Sequence, residues 1–181
     1  EELCNIASEY QGIVVRSATS ITEKIIVAGK NLKVLGRAGI GVDNIDISAA
    51  TNKGIVVMNT PFGNSITTAE HTISLMMSLA RNIPQANQST KLGKWEKSKF
   101  MGTELFGKSL GMIGCGNIGS LVAERSMGLK MKVMVYDPFL SEEQTSKLGA
   151  KKVELEELFS QADFITLHTP FTNETKGILN K

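Results

Sequence analysis

Apolar and polar positions change their period repeatedly along this chain. Short runs of strand type stand at Gly12-Ile13-Val14-Val15, at Leu32-Lys33-Val34-Leu35 and at Ile55-Val56-Val57-Met58. Between the first two, residues 22–30 offer Ile25, Ile26 and Ala28 for burial on one helical face. Between the second and third, the pattern predicts a short helix over 46–52. Its Asp46 can accept from the free N–H groups of the first turn, and Lys53-Gly54 closes it. The order β-α-β-α-β in so short a span implies parallel strands joined by right-handed crossovers.

A long helix follows. Thr67-Thr68-Ala69-Glu70 has the form of a capping box. Ala69, Ile73, Met76, Met77 and Ala80 form its apolar stripe, and Leu75 and Leu79 lie on another side, so burial on more than one face is expected. Pro84 is expected to end or kink it, and a further helical piece runs to Leu92 before Gly93. The stretch 91–99, with Lys91, Lys94, Lys97 and Lys99, reads as a solvated loop. A second alternation then begins: a strand over 110–113, a helix over 117–129, a strand over 132–136, a helix over 141–148, a very short strand near Lys152, a helix over 154–161 and a strand over 164–167. The boundary between two open α/β units is placed before the long helix, giving domains 1–66 and 67–181.

Composition narrows the function classes. The chain has 181 residues, 41% hydrophobic and 21% charged, with 20 Lys+Arg against 18 Asp+Glu. A formal charge of +2 gives no electrostatic case for a nucleic acid or an anionic membrane as partner. No apolar run approaches the length of a membrane span. Cys4 and Cys115 form neither a C-x-x-C pair nor part of a metal cluster, and read as two buried thiols in a reducing compartment, the cytoplasm. The first residue is not Met and the last fall in mid-pattern, so both ends read as cut.

The chemistry-bearing motif is Gly114-Cys115-Gly116-Asn117-Ile118-Gly119, a G-x-G-x-x-G between a strand and a helix. Gly114 permits the tight turn, Gly116 the approach of a pyrophosphate, and Gly119 close packing of helix on strand. Free N–H groups at the helix start then face the phosphates. An acid is expected at the end of the next strand, and Asp137 stands there, 18 residues beyond Gly119. Its carboxylate can accept from both ribose hydroxyls of NAD and would repel a 2′-phosphate, so NAD is expected over NADP. Thr169, in His168-Thr169-Pro170 after the fourth strand, is expected to face the cofactor, because strands 1 and 4 of a 3-2-1-4 order flank the switch point. Neither His168 nor His71 reads as a general base. In the first half, three loops leave strand carboxyl ends: one holds Arg16, one holds Arg37, Gly39 and Gly41, and one runs from Asn59 to Ser65. Guanidinium groups at such an edge suit a carboxylate or phosphate.

These motifs resemble the D-isomer-specific 2-hydroxyacid dehydrogenases. The likeness runs through 15–19, 36–44, 58–61, the glycine fingerprint, Tyr136-Asp137-Pro138 and His168-Thr169-Pro170. It continues from Gly93 to Leu105, and within it Gly63-Asn64-Ser65 and the stretch 95–105 point to the branch that acts on 3-phospho-D-glycerate. The resemblance implies a Rossmann-type doubly wound parallel sheet, incomplete at its carboxyl end, beside part of a flavodoxin-like substrate domain. It implies NAD-dependent oxidation of 3-phosphoglycerate to 3-phosphohydroxypyruvate, the first step of serine biosynthesis, by a homodimer or homotetramer whose long helix builds the dimer interface. It carries over Arg16, Arg37, Gly39 and Asn64 for substrate. For cofactor it carries over Ile40, Asn117, Ile118, Asp137 and Thr169 beside the three glycines. No catalytic residue is carried over, since the family's Arg, Glu and His lie downstream of this stretch. No metal is implied. Ile40 stands where some members have Thr, so it offers backbone groups but no hydroxyl. Other readings remain open: a glyoxylate, hydroxypyruvate or lactate-type enzyme, or a non-catalytic NAD-binding sensor or corepressor.

Overall fold

The computed structural model describes residues 2–180. The chain divides into two compact units, one made of the residues up to Ser65 together with those from Pro170 on, the other of Ile66–Thr169. The reading from sequence runs the second domain on to 181, whereas the second compact unit ends at Thr169.

The first unit contains α1 (Glu2–Ile6), β1 (Gly12–Val15), α2 (Glu23–Ala28), β2 (Val34–Arg37), α3 (Ile47–Asn52) and β3 (Val56–Asn59). Its three strands pair in parallel in the order β1-β2-β3. Ile21, Ile26, Leu35 and Ala50 are at most 1% exposed and form its core with Val15, Ile45 and Ile55. Each large apolar side chain buried to this degree contributes about 1.5–3 kcal/mol. The Asp46 cap is present: its carboxylate accepts from the Ala49 N–H at 2.9 Å. Strands β2 and β3 each begin one or two residues later than the apolar runs suggest, because Leu32 and Ile55 are buried before their strands start.

The second unit opens with α4 (Ser65–Ala80) and α5 (Ile83–Lys91). Helix α4 begins at Ser65, so Thr67 and Glu70 lie inside it and do not form its capping box. Ala69, Ile73, Met76 and Ala80 pack into the core as the stripe requires, but Met77 is 40% exposed. Leu75 and Leu79 are 57% and 72% exposed, so the expected burial of a second face is not found among the described residues. Asn82, in the left-handed region at φ 52°, breaks the chain between the helices, and Pro84 sits in the first turn of α5, where its missing N–H costs nothing.

A parallel sheet follows, built from β4 (Ser109–Ile113), β5 (Lys132–Tyr136), β6 (Lys151–Lys152) and β7 (Phe164–Leu167) in the order β6-β5-β4-β7. In the unit's own sequence this is the order 3-2-1-4. Helices α6 (Asn117–Gly128), α7 (Glu142–Lys147) and α8 (Leu155–Gln161) connect the strands. Ser141 caps α7 in a reciprocal capping box with Gln144. The register of β7 on β4 is pinned at its start by Asp163, whose carboxylate accepts from the Ser109 N–H at 2.8 Å and from Lys108 Nζ at 3.1 Å. Those bonds hold the exposed Asp163 carboxyl below its ordinary range.

The central strand leaves no room at Gly111. A methyl group there would stand 2.6 Å from Leu158 Cδ2 and 2.9 Å from Ala162 Cβ, the face α8 lays on the sheet. Gly111→Ala should therefore cost about 1–3 kcal/mol by overpacking. Gly128, with nothing within 4 Å of the same position, should accept Ala without loss. Urea unfolding of the two variants checks this, and equal midpoints would show that α8 does not press on β4.

Candidate functional site

In the second unit, parallel pairing brings Ile113, Tyr136 and Leu167 to one level, so the residues after β4, β5 and β7 leave the sheet at the same edge. Gly114 takes φ 84°, the left-handed conformation that reverses the chain out of β4. A Cβ at Gly114 would meet the His168 carbonyl oxygen at 2.7 Å and Thr169 Cγ2 at 2.8 Å. One at Gly119 would meet the Gly114 carbonyl oxygen at 2.6 Å. Around Gly116 such an atom would have nothing within 4 Å. The three glycines thus differ in role: two allow protein to approach protein, and Gly116 leaves open space before α6. Asn117 is the first residue of α6 and Ile118 the second, and no side chain caps the helix, so its first N–H groups are open to an anion.

Asp137 ends this edge at β5 and is 9% exposed. Its two oxygens are divided between two backbone amides. Oδ2 accepts from the Cys115 N–H at 2.8 Å, and Oδ1 accepts from the Phe139 N–H at 2.8 Å in an Asx-type turn. The carboxylate therefore ties the glycine loop to the end of the neighbouring strand. Sequence reasoning assigned Asp137 to the ribose and missed this bond to Cys115. Topology brings the two loops near each other, because a first-strand turn and a second-strand end are neighbours in any 2-1 parallel pair, but it does not say which atoms bond. Each oxygen retains a further lone pair for a ribose hydroxyl.

Residues 73–181 match the NAD-binding domain of the D-isomer-specific 2-hydroxyacid dehydrogenases. The chain belongs to this family. Among curated relatives, it is 54% identical over 179 residues to D-3-phosphoglycerate dehydrogenase of Synechocystis sp., which covers 99% of the chain and 32% of the relative. It is 51% identical to the enzyme of that name from Bacillus subtilis, over 95% of the chain and 33% of the relative. The chain thus spans about a third of the length of these relatives. Among solved structures, NAD-dependent formate dehydrogenase from Staphylococcus aureus in complex with NAD superposes with a TM-score of 0.90 at 32% identity, covering 99% of this chain and 55% of that one. D-lactate dehydrogenase from Aquifex aeolicus, complexed with NAD and lactic acid, superposes with a TM-score of 0.87 at 31% identity, over 95% and 52%.

The NAD-binding domain places Gly114, Gly116, Asn117, Ile118, Gly119, Asp137 and Thr169 at one sheet edge. The remaining sequence-predicted residues lie in the first unit. Arg16 follows β1 and is exposed, Arg37 ends β2, and Gly39 and Ile40 follow it. The Arg37 side chain folds over Gly39, where a Cβ would stand 1.5 Å from Nη1, and Arg37 Nε is buried without a hydrogen-bond partner. Ile40 has one backbone group already engaged, its carbonyl accepting from Asn59 Nδ2 at 2.7 Å. Asn64 immediately precedes α4.

Cys115 is buried and Cys4 only half-buried, so the expectation of two buried thiols holds for one of them, and both are unpaired. Burial pushes the Cys115 thiol up to about 11, with the Asp137 charge adding to the rise. The thiol of this glycine loop is a small apolar filler, not a nucleophile. His71 is exposed on α4. An apolar groove between α4 and β7 is lined by Leu75, Met76, Leu79, Ile165, Leu167 and His168, among others, and contains none of the fingerprint residues. Among the described residues no helix is long and apolar enough to cross a membrane.

His168 hydrogen-bonds through Nε2 to Thr166 Oγ1 at 3.0 Å, and its backbone N–H donates to the Ile113 carbonyl at 2.8 Å. Its ring partner is thus a threonine, not the carboxylate a general base needs to fix its tautomer. Burial holds the imidazole below its ordinary value of 6.5. Above about pH 6.5 neither folded nor unfolded chain binds this proton, and stability is at its full value. As pH falls below that, the unfolded chain takes up the proton while the folded chain resists it, and stability is lost until the lowered native value is passed. His168→Gln should therefore reduce the drop in urea midpoint between about pH 7.5 and pH 5.5. An unchanged drop would show that the imidazole is solvated.

Proposed function

We propose that this chain forms the cofactor-binding part and a portion of the substrate-binding part of a cytoplasmic, homo-oligomeric dehydrogenase that oxidises 3-phospho-D-glycerate to 3-phosphohydroxypyruvate. One observation carries the reading: identity of 54% to a D-3-phosphoglycerate dehydrogenase, maintained over 99% of the chain. The cytoplasmic assignment is supported by two unpaired thiols.

The residues fit NAD. The open space at Gly116 and the uncapped start of α6 suit a pyrophosphate, with Gly114, Asn117, Ile118 and Gly119 shaping the turn. Asp137 accepts from the adenosine ribose hydroxyls through its remaining lone pairs, while the Cys115 and Phe139 amides keep it oriented. Thr169 and Ile40 contact the cofactor, and Arg16, Arg37, Gly39 and Asn64 hold the acid groups of the substrate. Bound NAD supplies the acceptor for the hydride leaving the substrate carbinol. This chain's residues bind and orient the acid. Arg16 and Arg37 neutralise its charge with forked donors and hold it in one orientation, so the entropy of placing the carbinol is lost on binding and not in the reaction step.

Two measurements on the complete dehydrogenase test this. With saturating cofactor, 3-phosphoglycerate should be turned over in preference to D-lactate or glycerate, and a preference for either of those would move the enzyme to another branch of the family. Absence of turnover with any 2-hydroxy acid would favour a sensor. In cofactor titrations NAD should bind more tightly than NADP. Removing a charged acceptor costs about 1.5–3 kcal/mol per bond, so Asp137→Ala should weaken NAD about tenfold or more and narrow its margin over NADP. An unchanged preference would take the ribose role away from Asp137.

A further inference from the structure

We propose that Asn44 is a positioning residue whose carboxamide fixes the loop after β1 so that Arg16 is presented to the acid substrate. The proposal rests on the reading of Arg16 as an acid-binding residue. Residues 16–20 are all exposed and lie beyond the end of β1. Two side-chain hydrogen bonds from Asn44 reach their carbonyls. Its Nδ2 donates to the Arg16 carbonyl at 2.8 Å and to the Thr19 carbonyl at 2.6 Å. Both amide hydrogens are used, one at each end of the Arg16–Thr19 turn. The orientation of the amide is unambiguous, since a flip would set Oδ1 against two carbonyl oxygens.

The amide stands on a rigid base. The Asn44 carbonyl accepts from the Ile21 N–H at 2.8 Å, and the Asp46 N–H donates to the Ile21 carbonyl at 2.9 Å. These bonds form a parallel bridge between Ile21 and Ile45, which are 1% and 4% exposed in the core. The same residue thus closes the loop by its backbone at Ile21 and by its side chain at Arg16 and Thr19. Asn44 Oδ1, by contrast, is buried with no hydrogen-bond partner. An amide that leaves its oxygen unpaired is a poor choice for stability alone. Its use lies in the two donors. An arginine on an unsupported exposed loop must order both its backbone and its side chain when it takes up an anion. Fixing the backbone beforehand removes part of that cost from the binding step.

The test is a mutant cycle in the complete dehydrogenase, reading KM for 3-phosphoglycerate, kcat and NADH affinity. Asn44→Ala should raise KM about tenfold while kcat and NADH affinity stay within about twofold. In an Arg16→Ala background, itself raised in KM, Asn44→Ala should add nothing further, because Asn44 acts through Arg16. The isosteric Asn44→Asp replaces both donors by acceptors with the shape retained, and should give the same split. Amide hydrogen exchange at Ile21, whose N–H donates to the Asn44 carbonyl where the loop closes, should quicken in both Asn44 variants while β1, β2 and β3 exchange as before. An equal rise of KM in the two backgrounds, a wild-type KM in Asn44→Asp, or unchanged Ile21 exchange would each overturn the proposal. A silent Arg16→Ala would instead overturn the acid-binding reading of Arg16, and the proposal with it, and is told apart because there the arginine variant itself has no effect.

Discussion

In both sheets every strand runs the same way, so each connection must cross a face, and each loop that leaves a strand's carboxyl end emerges on a single edge. The register sharpens this. Val15, Arg37 and Asn59 pair across the first sheet as the last residues of their strands. Ile113, Tyr136 and Leu167 do so in the second. Residues far apart in sequence, such as Gly114, Asp137 and Thr169, are gathered because their strands end together. A slip of one residue in any pair would turn each side chain to the opposite face and scatter the loops.

Convergence of strand ends creates a difficulty that the polar contacts resolve. Loops at such an edge carry backbone groups without ladder partners, and buried ones must be satisfied. Asp137 does this in the second unit by accepting from Cys115 and Phe139. In the first unit asparagine amides hold loop carbonyls that are not buried, Asn59 donating to that of Ile40 and Asn44 to those of Arg16 and Thr19. These short side chains act as fasteners of the loops. On the reading proposed above, the loops are thereby set before any ligand arrives, which is the condition for electrostatic groups to act without reorganising.

The apolar face of α4 shows where pattern and burial part company. Ala69 and Ala80 are buried against the sheet, while Leu75 and Leu79, equally apolar in sequence, stand exposed beside the similarly half-open Ile165 and Leu167 of β7. Hydrophobicity marks a side chain as suited to burial. Whether it is buried depends on the elements that reach it.

Much of the fold was legible because it rests on local rules. The strands 132–136 and 164–167 read directly from their apolar runs, the Asp46 and Ser141 caps from residue type, and the glycine turn from G-x-G-x-x-G with an acid at the next strand's end. Parallel direction followed from crossover length, and the order 3-2-1-4 from the doubly wound sheet that the glycine fingerprint implies. What the sequence determined by itself was therefore element type, strand direction and the family likeness of its loops. What the tertiary structure alone decided was which donors meet which acceptors. That Cys115 would donate to Asp137 across 22 residues, or Asn44 to Arg16 across 28, has no local signature. Hydrogen bonds need donor and acceptor within a few tenths of an ångström and near a straight line. Only the packed sheet, with its register fixed, brings two loops to that precision.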